Sequence, residues 1–149
     1  MDKLVIASNN AGKLKEIQRV LAPLNWEVLP QSAFNIPEAD EPHHTFIENA
    51  LAKARHASKL AGLPALADDS GICVDALGGA PGVYSARYAG LPKSDERNNQ
   101  TLLDMMNNQS NRKAHYYCVL VMLRHSGDPQ PIIAEGSWQG EIAREPRGE

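Results

Sequence analysis

The sequence lacks the features that mark disulfide-stapled, membrane-spanning and nucleic-acid-coating proteins. It has only two cysteines, Cys73 and Cys118, which are too few and too far apart for a disulfide framework or a paired-cysteine zinc site. Both lie in apolar segments and are expected to be core residues. The net charge of −3 provides no basic excess, which argues against nucleic acid as a partner. The longest apolar run, 119–123 with its neighbours, is far too short for a membrane span.

Length and composition predict one globular domain over residues 1–149. Hydrophobic content is 42% and charged content 22%, both ordinary for a soluble protein. Met1 to Ile6 enters a strand pattern directly, without a signal-peptide layout, so a cytoplasmic location is expected. Aromatic residues make up only 5% of the chain.

Apolar spacing predicts an α/β fold. Strand patterns alternate with helical patterns at the start of the chain, and the two last strands form a hairpin, which makes the sheet mixed. The predicted strands are 3–8, 26–29, 114–124 and 131–138, and the predicted helices are 12–24, 45–61 and 94–109. The central helix is the most clearly marked, because Thr45 and Glu48 form a capping box in front of it. In the third helix, Leu102, Leu103, Met105 and Met106 are expected to face inward.

Two adjacent carboxylates, Asp68 and Asp69, interrupt an apolar run between Leu63 and Leu77. This pattern predicts a buried strand, a sharp polar break and a second strand. Neighbouring side chains of an extended chain point to opposite faces, so the two carboxylates are expected to have different roles. A turn in which Asp and Ser side chains cap backbone amides remains the alternative.

The segment from Ser8 to Lys13 joins the first strand to the first helix, a combination typical of anion sites. Backbone N–H groups at a helix N-terminus favour a phosphate, Gly12 allows close approach, and Lys13 adds a positive charge. Lysine is unusual in a first turn, which favours a functional role. A helix capped by Asn10 with an idle lysine is the alternative. If Lys13 is functional, its removal should weaken triphosphate binding far more than it changes stability, because an exposed first-turn lysine contributes little to stability.

A third polar segment is the acidic loop that contains Glu38, Asp40 and Glu41. Carboxylates near a phosphate site are electrostatically unfavourable unless a divalent cation bridges them, and hard oxygen ligands suit Mg²⁺. A solvated charge run is the alternative for the loop. Lys53 falls at the margin of the buried face of the central helix, beside Asn49, where a side chain that covers the core edge is the alternative to a functional one.

Taken together, these motifs resemble the inosine triphosphate pyrophosphatase family. The matching segments, in the family's order, are Ser8-Asn9-Asn10 through Lys13, Glu41 with Thr45-Phe46-Ile47-Glu48-Asn49-Ala50, Lys53-Ala54, Ala67-Asp68-Asp69-Ser70-Gly71, and the Gly78 to Gly90 loop with Ser85-Ala86-Arg87-Tyr88. The resemblance implies a long mixed sheet flanked by helices, with the site in a cleft between two lobes. It further implies hydrolysis of ITP, dITP or XTP to the monophosphate and pyrophosphate, which cleanses the nucleotide pool.

The resemblance also implies roles for individual residues. Ser8, Asn9, Asn10, Ala11, Gly12 and Lys13 would hold phosphates. Asp69 would be the metal-linked general base, Glu41 a second Mg²⁺ ligand, Lys53 a phosphate neutraliser and Ser70 a substrate contact. Glu38 remains an alternative to Glu41, because Pro42-His43-His44 stands where the family has a glycine.

The resemblance further implies a homodimer. The Gly78 to Gly90 loop offers Val83, Tyr84, Arg87 and Tyr88, residue types that are enriched in interface cores.

The chain stops at Glu149, where family members continue into motifs that grip the purine base. A truncated chain with flattened base preference is therefore expected. A non-catalytic relative that binds nucleotide or dimerises, and a sibling pyrophosphatase with other bases, are the alternatives.

Overall fold

The computed structural model describes residues 2–8, 10–90, 92 and 94–145. Its strands are β1 (Lys3–Ile6), β2 (Glu27–Pro30), β3 (Ala65–Val74), β4 (Lys113–Leu123) and β5 (Ile132–Glu141), and its helices are α1 (Ala11–Leu21), α2 (Phe46–Ala61) and α3 (Asp95–Met105). The strands form one sheet in the order β2-β1-β3-β4-β5. β1 runs parallel to both β2 and β3, while β4 and β5 are neighbours joined by a short connection, the arrangement of an antiparallel hairpin. The predicted mixed sheet flanked by helices is confirmed.

The chain divides into two compact units, Met1–Asp69 with Val119–Ala134, and Ser70–Cys118 with Glu135–Glu149. The single domain and the cleft expected from the sequence stay predictions. No helix within the described ranges is long and apolar enough to cross a membrane.

The core of the first unit forms where α1 covers β1 and β2. Leu14, Ile17 and Leu21 recur at helical spacing on α1 and pack against the buried Leu4, Ile6 and Val28. Burying side chains of this size contributes about 1.5–3 kcal/mol each. α2 contacts β1 with an alanine stripe, and Ala50, Ala54 and Ala57 are fully buried there. Thr45 caps α2 by accepting a hydrogen bond from the Glu48 N–H, as the sequence predicts.

The core of the second unit gathers around Val74, Met106 and Ala114. Arg112 links two segments next to this core, because its guanidinium donates hydrogen bonds to the carbonyl oxygens of Ile142 and Met106 at 2.8 Å each. The side chain of Asn98, on α3, bonds the backbone of the preceding loop in both directions. It accepts from the Ala89 N–H and donates to the Ala86 carbonyl, each at 2.8 Å.

The turn between β4 and β5 is held by a bidentate ion pair. Asp128 accepts from Nε and Nη2 of Arg124 at 2.8 and 2.9 Å, and its side chain is almost fully buried. Hydrogen bonds from the Arg124 side chain and from the backbone N–H groups of Arg124 and Gln130 hold the pKa of the Asp128 carboxyl well below its usual range.

Several local expectations are wrong. β3 runs unbroken through Asp68 and Asp69, whereas the sequence predicts a break there. The regular part of α1 ends at Leu21, and a tight helical turn containing Pro23 follows it. Met105 is 54% exposed, because it lies at the last residue of α3, while Met106 folds back into the core. Both cysteines are free but only partly buried, and burial raises the pKa of the Cys73 thiol.

Candidate active site

The loop before α1 is a compact polar cap. Asn10 is the N-cap residue, and its Oδ1 accepts hydrogen bonds from the N–H groups of Gly12 at 2.9 Å and Lys13 at 3.1 Å. The Ser8 hydroxyl accepts from the Asn10 N–H at 3.0 Å. A Cβ at position 12 would lie 3.2 Å from Asn10 Oδ1, so glycine keeps the cap uncrowded. Ala11 is exposed at the first position of α1, and Asn9 lies outside the described residues.

Lys13 is not idle. Its Nζ lies 2.7 Å from Oδ2 of Asp68, and the Asp68 side chain is only 11% exposed. Strand register explains this pairing, because Ile6 on β1 stands level with Leu66 on the parallel β3. Two residues further along, Ser8 and Asp68 follow at the same edge of the sheet. The carboxyl ends of neighbouring parallel strands are where α/β proteins bind ligands.

Asp69 occupies the next position of β3, where side chains alternate between the two faces of the sheet. It is half-buried, and its Oδ2 is shielded from solvent. Ser70 accepts a hydrogen bond from the Tyr116 hydroxyl at 2.8 Å. The Trp138 ring lies 6.2 Å from the Tyr116 ring. The sequence gives no signal for Tyr116, because the contact depends on the pairing of strands that are distant along the chain.

The acidic loop lies against one face of α2. Lys53 Nζ is 3.3 Å from Oε1 of Glu41, with the two side chains 18% and 27% exposed. Lys53 therefore does more than cover the edge of the core, because it also forms an ion pair with Glu41. Two further α2 residues, Asn49 and His56, hydrogen-bond the loop backbone, and the sequence analysis assigns a role to neither. Their spacing with Lys53 (49, 53 and 56) places all three on one helix face and could have indicated them.

The carboxylates fit the donor chemistry of Mg²⁺. Among the residues that the structure describes, no group of three or more His, Cys, Asp or Glu side chains could hold a metal ion. Mg²⁺ does not require such a group, because one or two carboxylates with substrate phosphates suffice. His43 Nδ1 lies 3.7 Å from a Glu48 oxygen. Glu41 and Asp69 stay the predicted ligands of the ion.

Comparison with known proteins adds independent information. Residues 4–149 match the sequence model of the Ham1 family. The chain is 67% identical over 149 residues to the dITP/XTP pyrophosphatase of Nitrosomonas europaea, covering 100% of this chain and 73% of that protein. It is 64% identical over 148 residues to the dITP/XTP pyrophosphatase of Chromobacterium violaceum, covering 99% and 75%.

Solved structures agree with these relatives. The HAM1 protein of Coxiella burnetii superposes with a TM-score of 0.96 at 47% identity, over 99% of this chain and 76% of that one. The Ham1 protein of Staphylococcus aureus superposes with a TM-score of 0.90 at 39% identity, again over 99% and 76%.

Proposed function

The chain belongs to the Ham1 family, and on that premise we propose that it is a nucleoside triphosphate pyrophosphatase acting on dITP, ITP and XTP. The match to the Ham1 family model and the identity to dITP/XTP pyrophosphatases confirm the family resemblance drawn from the sequence. The observation that carries the proposal is the 67% identity to a dITP/XTP pyrophosphatase over the whole of this chain. The reaction releases the nucleoside monophosphate and pyrophosphate, and so removes deaminated purines from the nucleotide pool.

The site supplies the groups that such a hydrolysis needs. The oxygen of a water molecule forms a new bond to phosphorus, and the bridging bond between the α and β phosphates breaks. Asp69 accepts the proton of that water, and pyrophosphate leaves with the electron pair of the broken bond. Lys13 and Lys53 stabilise the negative charge of the phosphates. Each lysine is held beside a carboxylate until substrate arrives, Lys13 by Asp68 and Lys53 by Glu41.

Mg²⁺ is the proposed cofactor, held by Glu41 and Asp69 together with substrate oxygens. When bound, it would neutralise phosphate charge and lower the pKa of a coordinated water. Lys53 holds the Glu41 carboxylate against α2, and Glu38 remains the alternative second ligand.

The direct test is pyrophosphate release from dITP and XTP, compared with ATP and dGTP, with Mg²⁺ and with EDTA. Hydrolysis of dITP and XTP that stops with EDTA is the expected result, and the rates for ATP and dGTP test the flattened base preference expected from the sequence. No release from any nucleotide would contradict the proposal and favour the non-catalytic alternative. Preference for ordinary bases would favour a sibling pyrophosphatase.

We extend the proposal to assembly and location. The Arg87 guanidinium stacks over the exposed Tyr84 ring, 5.3 Å from its centroid. Residues of these types are enriched in interface cores, so the pair supports a homodimer that forms through the Gly78 to Gly90 loop. The partner is free nucleotide and not nucleic acid, as the net charge of −3 favours. Two free cysteines suit the reducing cytoplasm.

A further inference from the structure

We propose that Asn49 and His56 are positioning residues that hold the acidic loop on α2 and thereby preset Glu41 for a divalent cation. The inference rests on the proposed function, in which Glu41 binds that cation. It assigns a task to two residues for which we propose no contact with the phosphates or the cation.

Asn49 holds the loop just after Glu41. Its Oδ1 accepts from the His43 N–H at 3.0 Å, and its Nδ2 donates to the His43 carbonyl at 3.2 Å. The residue is only 1% exposed, so both bonds form away from water. A buried amide that satisfies a backbone donor and acceptor together fixes the direction of the chain, since a shift of the loop would break both bonds.

His56 holds the loop before Glu38. Its Nε2 lies 2.9 Å from the Pro37 carbonyl oxygen, which can only accept, so the ring donates. The two attachments therefore bracket residues 38–42, the segment that carries the carboxylates. Lys53 lies between Asn49 and His56 on the same face of α2. Its Nζ lies 3.3 Å from Oε1 of Glu41, which is between the two attached loop positions, Pro37 and His43.

In loop 35–44, the side chain of Ile36 is buried near the start, and Asn49 and His56 attach the backbone that follows it to α2. The loop contains Pro37 and Pro42 and forms no helix or strand between Ile36 and His44. Glu38 and Asp40 are exposed, whereas Glu41 is partly buried beside Lys53. Holding carboxylates close together before the cation arrives removes an ordering cost from cation binding. Residues that orient metal ligands commonly change affinity about 10–100-fold when they are removed.

The test uses the full chain and Mn²⁺ as the probe, with free Mn²⁺ followed by electron paramagnetic resonance. Asn49→Ala should weaken Mn²⁺ binding about 10-fold or more. It should also speed amide hydrogen exchange at residues 38–43. Asn98→Ala is the matched control, because Asn98 is likewise buried and bonds a loop in both directions. This control should lose stability without changing Mn²⁺ affinity.

His56→Ala should weaken Mn²⁺ binding less than Asn49→Ala does, and His56→Gln should recover part of the loss, because glutamine keeps a donor.

Glu41→Gln separates the failure of this inference from that of the proposed function. Wild-type protein that binds Mn²⁺ no better than Glu41→Gln would remove Glu41 from the cation site, and the inference with it. Wild-type affinity retained in Asn49→Ala and His56→Ala, with Glu41→Gln impaired, would overturn the inference alone. Equal losses in Asn49→Ala and Asn98→Ala would also overturn it, because the effect would then follow general destabilisation.

Discussion

Replacing Lys13 by methionine separates its structural role from its chemical one. Methionine keeps an unbranched side chain of similar length and suits a helix, but it removes the charge. Asp68, only 11% exposed, then loses the ammonium group that lies 2.7 Å away. Breaking a fully buried pair costs about 3–5 kcal/mol, whereas an exposed pair contributes about 0–1 kcal/mol.

The Lys13–Asp68 pair falls between these limits, because the lysine side chain is 42% exposed and solvent screens part of the interaction. We expect Lys13→Met to lower the free energy of unfolding by about 2 kcal/mol, or about 4–8 °C in Tm for a chain of this size. This revises the sequence-based expectation of an exposed lysine with little effect on stability. Adding Asp68→Asn to Lys13→Met should restore most of the lost stability, because the double variant no longer buries an unpaired carboxylate.

Activity should not follow stability. If Lys13 binds phosphate, kcat/KM for dITP should fall in Lys13→Met and stay low in Lys13→Met/Asp68→Asn, although the double variant regains its Tm. Thermal unfolding and pyrophosphate release, measured on the same preparations, provide both quantities. Wild-type kcat/KM in the double variant would refute phosphate binding by Lys13. Additive Tm changes would refute the structural coupling.

Three further predictions concern other parts of the molecule. Asp69→Asn should lower kcat by at least ~10²-fold with an unchanged far-UV circular dichroism spectrum, and retained turnover would remove Asp69 as the base. Asp128→Asn should lower Tm at pH 7. Because Arg124 lowers the folded-state pKa of Asp128, the Tm difference from wild type should narrow as the pH falls below 3.8, and a difference that persists at acidic pH would contradict the ion-pair origin. Tyr84→Ala should shift the proposed dimer toward monomer in light scattering, and a wild-type protein that is monomeric at high micromolar concentration would reject the dimer.

Local sequence patterns predict α2 well. Its capping box and alanine stripe involve residues three or four positions apart, and the helix begins directly after Thr45 as expected. β1 and the hairpin of β4 and β5 follow for the same reason, since their apolar patterns and turn residues are local. Their ends differ from the prediction by at most three residues, and the start of β1 agrees.

The contacts of the candidate site residues could not be predicted from the sequence, and their functional roles stay predictions. Asp68 and Asp69 predict a break in β3 because two adjacent charges rarely occur inside a strand. The neutralising partner of Asp68 is 55 positions away, and sequence patterns do not report such a pairing. Asn49 and His56 bind backbone carbonyl groups, which every residue possesses, so no sequence pattern identifies their partners. The homodimer, the Mg²⁺ ligands and the substrate contacts stay predictions.

The unbroken course of β3 has a consequence for how this protein can vary in length. Binding and catalytic residues often lie on loops, where insertions and deletions are tolerated. Asp68 and Asp69 instead lie inside a strand of ten residues. One residue inserted between Ala65 and Asp68 would exchange the faces of the two carboxylates and turn Asp68 away from Lys13. We therefore expect length differences among homologous sequences to fall in loops such as 107–112, and to be excluded from 65–74.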